Sequence, residues 1–143
     1  MKAEEQIENH INSIPPPKQA EMRELHQLIL KIVPDVELWF DNGVNAEGKV
    51  VTNPTIGYGL QTITYANGSS KPFFRIGLCA NTTGFSVYVL GLKDKGYLNQ
   101  TYGSTLGKAK ITGYCIKFKT IKDIKLSALE EAVKYGLEQP NDV

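Results

Sequence analysis

Lysines and glycines cluster between residues 103 and 119, and this combination can bind an anion. The lysines are Lys108, Lys110, Lys117 and Lys119, and the glycines are Gly103, Gly107 and Gly113. Backbone N–H groups of a glycine-rich loop, together with lysine ammonium groups, can cradle a phosphate or a carboxylate. The segment lacks the spacing of a phosphate-binding P-loop. A solvated strand face, whose lysines provide only solubility, is the alternative interpretation.

Aromatic residues on or beside the predicted strands can line a small-molecule pocket. The set is Tyr58, Tyr65, Phe74, Tyr88, Tyr97 and Tyr102. Such residues also serve in a core from which tyrosine hydroxyls reach the surface, so both roles stay open. Arg75 lies next to Phe74 in this set, where it can bind a ligand carboxylate or pair with a neighbouring acid.

Residues suited to metal binding or catalysis are few. The two histidines, His10 and His26, lie in the N-terminal helical region at a spacing that does not form a transition-metal site. The acids Glu4, Glu5, Glu8, Glu21 and Glu24 can supply weak oxygen ligands for iron. Cys79 and Cys115 have no histidine nearby in sequence, so we expect buried thiols rather than nucleophiles. A disulfide between them, across neighbouring strands, stays open.

Four runs of alternating apolar residues predict the strands that position these groups. The runs are Ile56–Tyr65, Phe73–Cys79, Phe85–Leu90 and Tyr114–Lys119. Asn67-Gly68 is a strong signal for a hairpin turn, and short connections between successive strands favour an antiparallel meander. The loop Gly103–Gly113 leads into the last strand, and a helical segment is expected around Tyr97–Leu106.

Helices are predicted at both ends of the chain. Ile7, Ile11 and Ile14 recur at helical spacing, and a second apolar stripe continues from the prolines 15–17 to about Val33. A last helix starts at the capping box of Ser127 and Glu130, buries Leu129, Val133 and Leu137, and ends near Pro140. The predicted fold class is therefore α+β, an antiparallel β-sheet of about four to six strands packed against N-terminal and C-terminal helices.

Length and charge limit the function further. A chain of 143 residues predicts a single domain over residues 1–143. The net charge of +1, from 16 basic and 15 acidic residues, argues against a nucleic-acid or membrane partner. The N-terminus lacks the apolar segment of a signal peptide, and no apolar run approaches the length that spans a bilayer. We therefore expect a cytoplasmic protein, of bacterial origin.

Three stretches resemble the YdhG-like domain family, catalogued as domain of unknown function 1801, over about residues 8–138. Where that family has a glycine-spaced aromatic strand, this chain has Ile56-Gly57-Tyr58-Gly59-Leu60. Its tyrosine-containing strand is matched by Phe85-Ser86-Val87-Tyr88-Val89. The most specific block is Leu106-Gly107-Lys108-Ala109-Lys110, followed by Cys115 and by Ile121-Lys122-Asp123-Ile124. The resemblance marks Lys108 and Lys110 among the lysines, and one branch of the family implies a frataxin-like intracellular iron chaperone.

The leading hypothesis is a non-catalytic binding module for a small polar or anionic ligand or for a protein partner. Its candidate ligand-binding residues are Tyr58, Arg75, Tyr88, Tyr102, Lys108 and Lys110. We expect the site on a sheet face beneath the segment Tyr97–Gly113, with no metal or cofactor required, although iron would serve the chaperone alternative. An enzyme of unknown class and a homodimer formed through an exposed sheet edge also stay open.

Overall fold

The computed structural model describes residues 2–90, 92 and 94–138. Within them the chain forms four α-helices, eight β-strands and a short 3₁₀ turn at Ile121–Asp123. The helices are α1 (Ala3–Ser13), α2 (Lys18–Ile32), α3 (Tyr97–Tyr102) and α4 (Leu126–Glu138). The strands are β1 (Leu38–Asp41), β2 (Thr55–Tyr58), β3 (Gln61–Thr64), β4 (Ser70–Phe73), β5 (Ile76–Asn81), β6 (Gly84–Val89), β7 (Ala109–Thr112) and β8 (Cys115–Phe118).

Six of these strands form one antiparallel sheet in the order β1-β2-β5-β6-β8-β7, and β3 pairs with β4 in a separate hairpin. Helices lie at both ends of the chain, so the α+β class predicted from the sequence is confirmed. None of the described helices combines the length with the apolar composition needed to cross a bilayer.

One face of the sheet carries the core. The residues paired across it are apolar, as in the row Phe40, Ile56, Leu78, Val87 and Ile116. Buried residues from all four helices belong to the same core, including Ile11, Leu25, Leu98 and Leu129. Burial of these large apolar side chains is the main stabilising contribution to the fold. We call this side of the sheet the helix face.

The opposite side of the sheet carries smaller and more polar residues, because side chains alternate along each strand. Two rows of paired residues cross it, one through Gly57, Gly77, Tyr88 and Cys115, the other through Asp41, Thr55, Cys79, Ser86 and Lys117. We call this side the polar face. It offers hydroxyl, thiol and charged groups rather than a second apolar core.

Two of the predicted strands are each divided in the structure. The run Ile56–Tyr65 breaks after Tyr58, because Gly59 adopts a φ of +83° that turns the chain out of the sheet and into the β3–β4 hairpin. The run Phe73–Cys79 likewise includes the end of β4 and the start of β5. The chain crosses between the two elements at Phe74 and Arg75, and Phe74 consequently leaves the face of Ile76 on which its alternation had placed it.

The lysine and glycine segment also differs from its prediction as a loop. Ala109–Thr112 forms the edge strand β7, paired with β8 through a turn at Gly113, whose φ is +55°. The predicted helix around Tyr97–Leu106 is present as the shorter α3. The strand has only one large apolar side chain, that of Ile111, so its alternation was too weak to reveal it. It forms because its backbone pairs with the edge of β8.

Candidate functional site

The polar face contains a close packing of an aromatic ring on two glycines. A Cβ atom built on Gly57 would lie 2.5 Å from the ring of Phe74, and one built on Gly77 would lie 3.0 Å from it. Glycine is therefore required at Gly57, where no side chain fits. The two glycines, which are neighbours across β2 and β5, let the Phe74 ring pack directly against the backbone of the sheet.

A cleft of about 390 Å³ lies beside this ring. Its lining combines aromatic and apolar groups with hydroxyl, amide, thiol and carboxylate groups: Asp41, Thr52, Asn53, Thr55, Phe74, Cys79, Tyr88 and Leu90. Small-molecule sites occupy roughly 300–1,000 Å³ and have a mostly apolar lining with a few placed polar groups. We call this cleft the first cleft, and its volume falls within this range.

A second cleft, of about 300 Å³, adjoins the first around the edge strand β1. It is lined by Gln6, Trp39, Phe40, Asp41, Asn42, Phe73 and Phe74. Asp41 and Phe74 line both clefts. The indole of Trp39 is fixed by a 2.8 Å hydrogen bond from its Nε1 to the carbonyl of Gly59. The two clefts therefore share one carboxylate and one ring.

The shared carboxylate is held by the loop that follows it. Asp41 Oδ1 accepts a 2.9 Å hydrogen bond from the backbone N–H of Gly43. Gly43 has a φ of +78°, and a Cβ there would meet the carbonyl oxygen of Thr52 at 2.1 Å. The loop between β1 and β2 thus closes tightly on itself, and Thr52 and Asn53 reach the first cleft from its far end.

The groups of the polar face with the greatest nucleophilic potential are in their neutral form at neutral pH. Burial raises the pKa of the Cys79 thiol, which also hydrogen-bonds to Thr55. Burial likewise raises the pKa of Tyr88 and of Cys115, and the Ser86 hydroxyl hydrogen-bonds to both. Since the thiolate is the reactive form of cysteine, these thiols are poorly reactive.

The two cysteines do not face each other across neighbouring strands. Both are free; Cys79 lies in β5 and Cys115 in β8, and β6 lies between them. Two strand spacings put their Cα atoms roughly 10 Å apart, and a disulfide needs less than about 7 Å. The alternative of a bridge is therefore wrong for this fold.

The structure places the six predicted ligand-binding residues in different parts of the molecule. Tyr88 lines the first cleft, and Lys110 is exposed on β7 in the polar-face row of Lys117. Lys108 is exposed just before β7, where its backbone N–H donates to the carbonyl of Asp123 at 2.8 Å. The structure does not bring these lysines to the first cleft.

The other three predicted residues are buried. Tyr58 lies on the helix face with no exposed surface, and its hydroxyl is 2.6 Å from Nδ1 of His26. Arg75 is 6% exposed, and its guanidinium donates to the carbonyls of Leu60 at 2.8 Å and Gly136 at 3.4 Å. Tyr102 packs edge-on to Tyr97, and burial and that neighbour raise its pKa to about 12.

The sequence interpretation had omitted Asp41, Thr55 and the loop residues Thr52 and Asn53 from the site. Asp41 lies at the edge of the sheet, and it reaches the cleft only because β1 pairs with β2. In the sequence, the segment around Thr52 is typical of a solvent-exposed turn. One signal was available for Thr55, since it stands two residues before Gly57 and so shares the face of the glycine strand.

Metal ligands do not converge anywhere in the part of the chain that the structure describes. No three side chains of histidine, cysteine, aspartate or glutamate are grouped there as a metal ion would require. His26 is engaged with Tyr58, and the ring of His10 packs at 5.4 Å from that of Phe40. The predicted acids Glu4, Glu5, Glu8 and Glu24 are exposed, whereas Glu21 accepts the backbone N–H of Ile121 at 2.8 Å.

No family model matches the chain, and neither a curated protein nor a solved structure matches it significantly.

Proposed function

We propose that this protein is a small binding module, without catalytic activity of its own, that holds a small polar molecule in the first cleft. The observation that carries this proposal is the packing of Phe74 on Gly57 and Gly77. It gives the cleft a rigid aromatic wall, and the hydroxyl of Thr55 and the ring of Tyr88 line the same space. Rigid apolar walls with a few placed polar groups are the usual construction of a ligand site.

The chemistry of the lining supports binding rather than reaction. A nucleophilic thiol needs a lowered pKa, whereas burial raises the pKa of Cys79. A general base is needed beside the nucleophile, and both histidines lie on α1 and α2, which pack on the helix face. The first cleft thus offers shape, hydrogen bonding and charge, which are the requirements of recognition.

The predicted alternative of a frataxin-like iron chaperone is favoured by no specific arrangement of the described residues. The YdhG-like resemblance, the cytoplasmic location and the bacterial origin stay predictions from the sequence. They are compatible with a small binding module and do not depend on it.

Nuclear magnetic resonance of the ¹⁵N-labelled protein with a set of small neutral and charged aromatic fragments tests this function. We expect binders to shift the backbone amide signals of residues 55–57 and 77–79, which border the first cleft. Tyr88→Ala should weaken their binding about tenfold, since one aromatic wall is worth on the order of 1–2 kcal/mol. Tyr65→Ala is the matched control, because Tyr65 is exposed on the β3–β4 connection. Fragments that shift only signals elsewhere, or none that bind, would contradict the proposal.

A further inference from the structure

The two clefts share a single carboxylate and are lined by five aromatic rings. Asp41 lines both, and the rings that line one or the other are those of Trp39, Phe40, Phe73, Phe74 and Tyr88. Phe73 and Phe74 are themselves in contact, with ring centroids 4.1 Å apart. The carboxylate is negatively charged, and the face of an aromatic ring is electron-rich. Both kinds of group therefore attract cations.

The carboxylate keeps capacity for a ligand. Asp41 is exposed, and among the residues that the structure describes its Oδ1 accepts one hydrogen bond, from the backbone N–H of Gly43. An ionised carboxylate can accept about four hydrogen bonds. The bond from Gly43 fixes the orientation of the group, and the remaining acceptor positions suit the N–H donors of an ammonium group. A charge-assisted hydrogen bond of this kind is roughly twice as strong as a neutral one.

The protein already places one ammonium group against this aromatic cluster. Nζ of Lys71 lies 5.3 Å from the ring centroid of Phe73 and 5.9 Å from that of Tyr65. A cation within about 6 Å of a ring centroid is attracted to the ring. Lys71 therefore already occupies the face of the Phe73 ring, so the charge of a cationic ligand has to be placed elsewhere in the two clefts.

The polar side chains that line the first cleft agree with a donor-rich ligand. Besides Asp41, the lining residues include Thr52, Asn53 and Thr55, and the Thr55 hydroxyl itself donates to the carbonyl of Asn53 at 3.3 Å. These groups offer oxygen acceptors in addition to donors. The aromatic and aliphatic lining, from Phe74, Tyr88 and Leu90, would cover the apolar part of the same ligand.

From this geometry we infer that the ligand of the module is a small organic ammonium compound, bound with its charge on Asp41 and its apolar part against Phe74. The inference rests on the proposed function and names the chemical class that its cleft selects. It departs from the anion suggested by Lys108 and Lys110, because Asp41 lines the cleft beside Phe74 and neither of these lysines does.

Three probes of one shape and different charge test the class. They are phenethylamine, 2-phenylethanol and 3-phenylpropionate, which share a phenyl ring and a two-carbon chain. Their affinities can be measured by titration of the ¹⁵N-labelled protein. We expect the amine to bind about tenfold more tightly than the alcohol or the carboxylate, and to shift the amide signals of residues 41–43, 55–57 and 77–79. Its affinity should fall as salt is added, because the contact is ionic.

A pair of aspartate variants locates the charge. Asp41→Asn should reduce the affinity for phenethylamine to that for 2-phenylethanol and leave the affinity for the alcohol unchanged. Asp94→Asn is the matched control, because Asp94 also accepts the N–H of the residue two positions later, at 2.8 Å to Gly96, and lies outside both clefts. An asparagine keeps the acceptor in both variants, so both should fold.

The outcomes separate the two proposals. If the carboxylate or the alcohol binds as tightly as the amine and shifts the same cleft signals, the ammonium class is overturned and the binding module stands. If the amine binds without shifting these signals, or if Asp41→Asn leaves its affinity unchanged, the site at Asp41 is overturned. If no probe shifts the cleft signals at about 1 mM, both proposals lose their support.

Discussion

Phe74 lies directly over Gly57, so closely that a methyl group on Gly57 would stand 2.5 Å from the ring. The relationship joins the hairpin β3–β4 to the central sheet, because Phe74 follows β4 while Gly57 belongs to β2. It also sets the wall of the first cleft. Fold stability and cleft shape therefore depend on the same contact.

Gly57→Ala is expected to destabilise the protein by about 1–3 kcal/mol, the usual cost of overpacking a buried site. Urea denaturation measures this change. Phe74→Leu provides the control, because a smaller and flexible side chain should accommodate the added methyl group, so that the double variant costs less than the sum of the two single variants. Strictly additive costs would show that Phe74 does not occupy this position.

Arg75 joins two distant parts of the chain, and its removal should be costly. It is 6% exposed and donates to the carbonyls of Leu60 and Gly136, which lie before β3 and within α4. Arg75→Met removes these donors while keeping a similar apolar stem, so we expect a loss of about 1–3 kcal/mol from the two carbonyls left without this partner.

The matched control for this loss is Arg23→Met. Arg23 forms a 2.7 Å ion pair with Glu8, but its side chain is 33% exposed and that of Glu8 is 53% exposed. A solvent-exposed pair of this kind contributes less than about 1 kcal/mol. Chemical denaturation of both variants compares the two arginines directly. An equal loss in both would contradict the structural role assigned to Arg75.

Acidification should weaken the fold through the two histidines. Burial lowers the pKa of His26 from its ordinary value of 6.5; the carboxylate of Glu8 acts in the opposite direction, and Arg23 lowers it further. Burial also lowers the pKa of His10. The unfolded chain therefore takes up protons at a higher pH than the folded chain does. The free energy of unfolding should change little between about pH 8 and about pH 7.5 and should fall as the pH drops below about 6.5.

Denaturation curves recorded between about pH 8 and about pH 5 measure this decline. His26→Gln should make it shallower, since glutamine does not titrate and can still hydrogen-bond to the hydroxyl of Tyr58. The variant has to keep a hydrogen-bond partner for Tyr58, because that side chain is fully buried and its hydroxyl lies 2.6 Å from His26 Nδ1. A stability that rises on acidification in this range would contradict the lowered pKa values.

Local alternation was sufficient to predict the fold class and not sufficient to predict the site. Ile76 and Leu78 alternate with Gly77 and Cys79, and this pattern predicts a strand without any tertiary information. It does not decide which face the helices cover. Tyr58 and Tyr88 look equivalent in sequence, yet Tyr58 shares its face with Ile56 and is buried, whereas Tyr88 shares its face with Ser86 and lines the cleft.

The groups at the centre of the site come together through tertiary contacts that leave no local signal. Asp41 ends the edge strand β1, and Phe74 follows β4, 33 positions later in the sequence. They line the same clefts because β1 pairs with β2 and because the Gly59 turn sends the β3–β4 hairpin back across Gly57. A strand pairing and a glycine turn decide this arrangement, and neither residue's neighbours in sequence reveal it.

Lys110 and Lys117 are paired directly across β7 and β8, and both are exposed. Like charges placed opposite each other are destabilising, whereas an opposite-charge pair contributes roughly 0.2–1 kcal/mol. Lys110→Glu should therefore stabilise the protein by an amount of this order, and the gain should shrink at high salt, because the charges are screened there. Lys108 lies before the strand and outside the pair, so Lys108→Glu should give no such gain in stability. Thermal denaturation at low and high ionic strength measures both variants. If Lys110→Glu instead destabilises the protein, and phosphate stabilises the unsubstituted chain more than chloride does at equal ionic strength, the two lysines form an anion site, as the sequence had suggested.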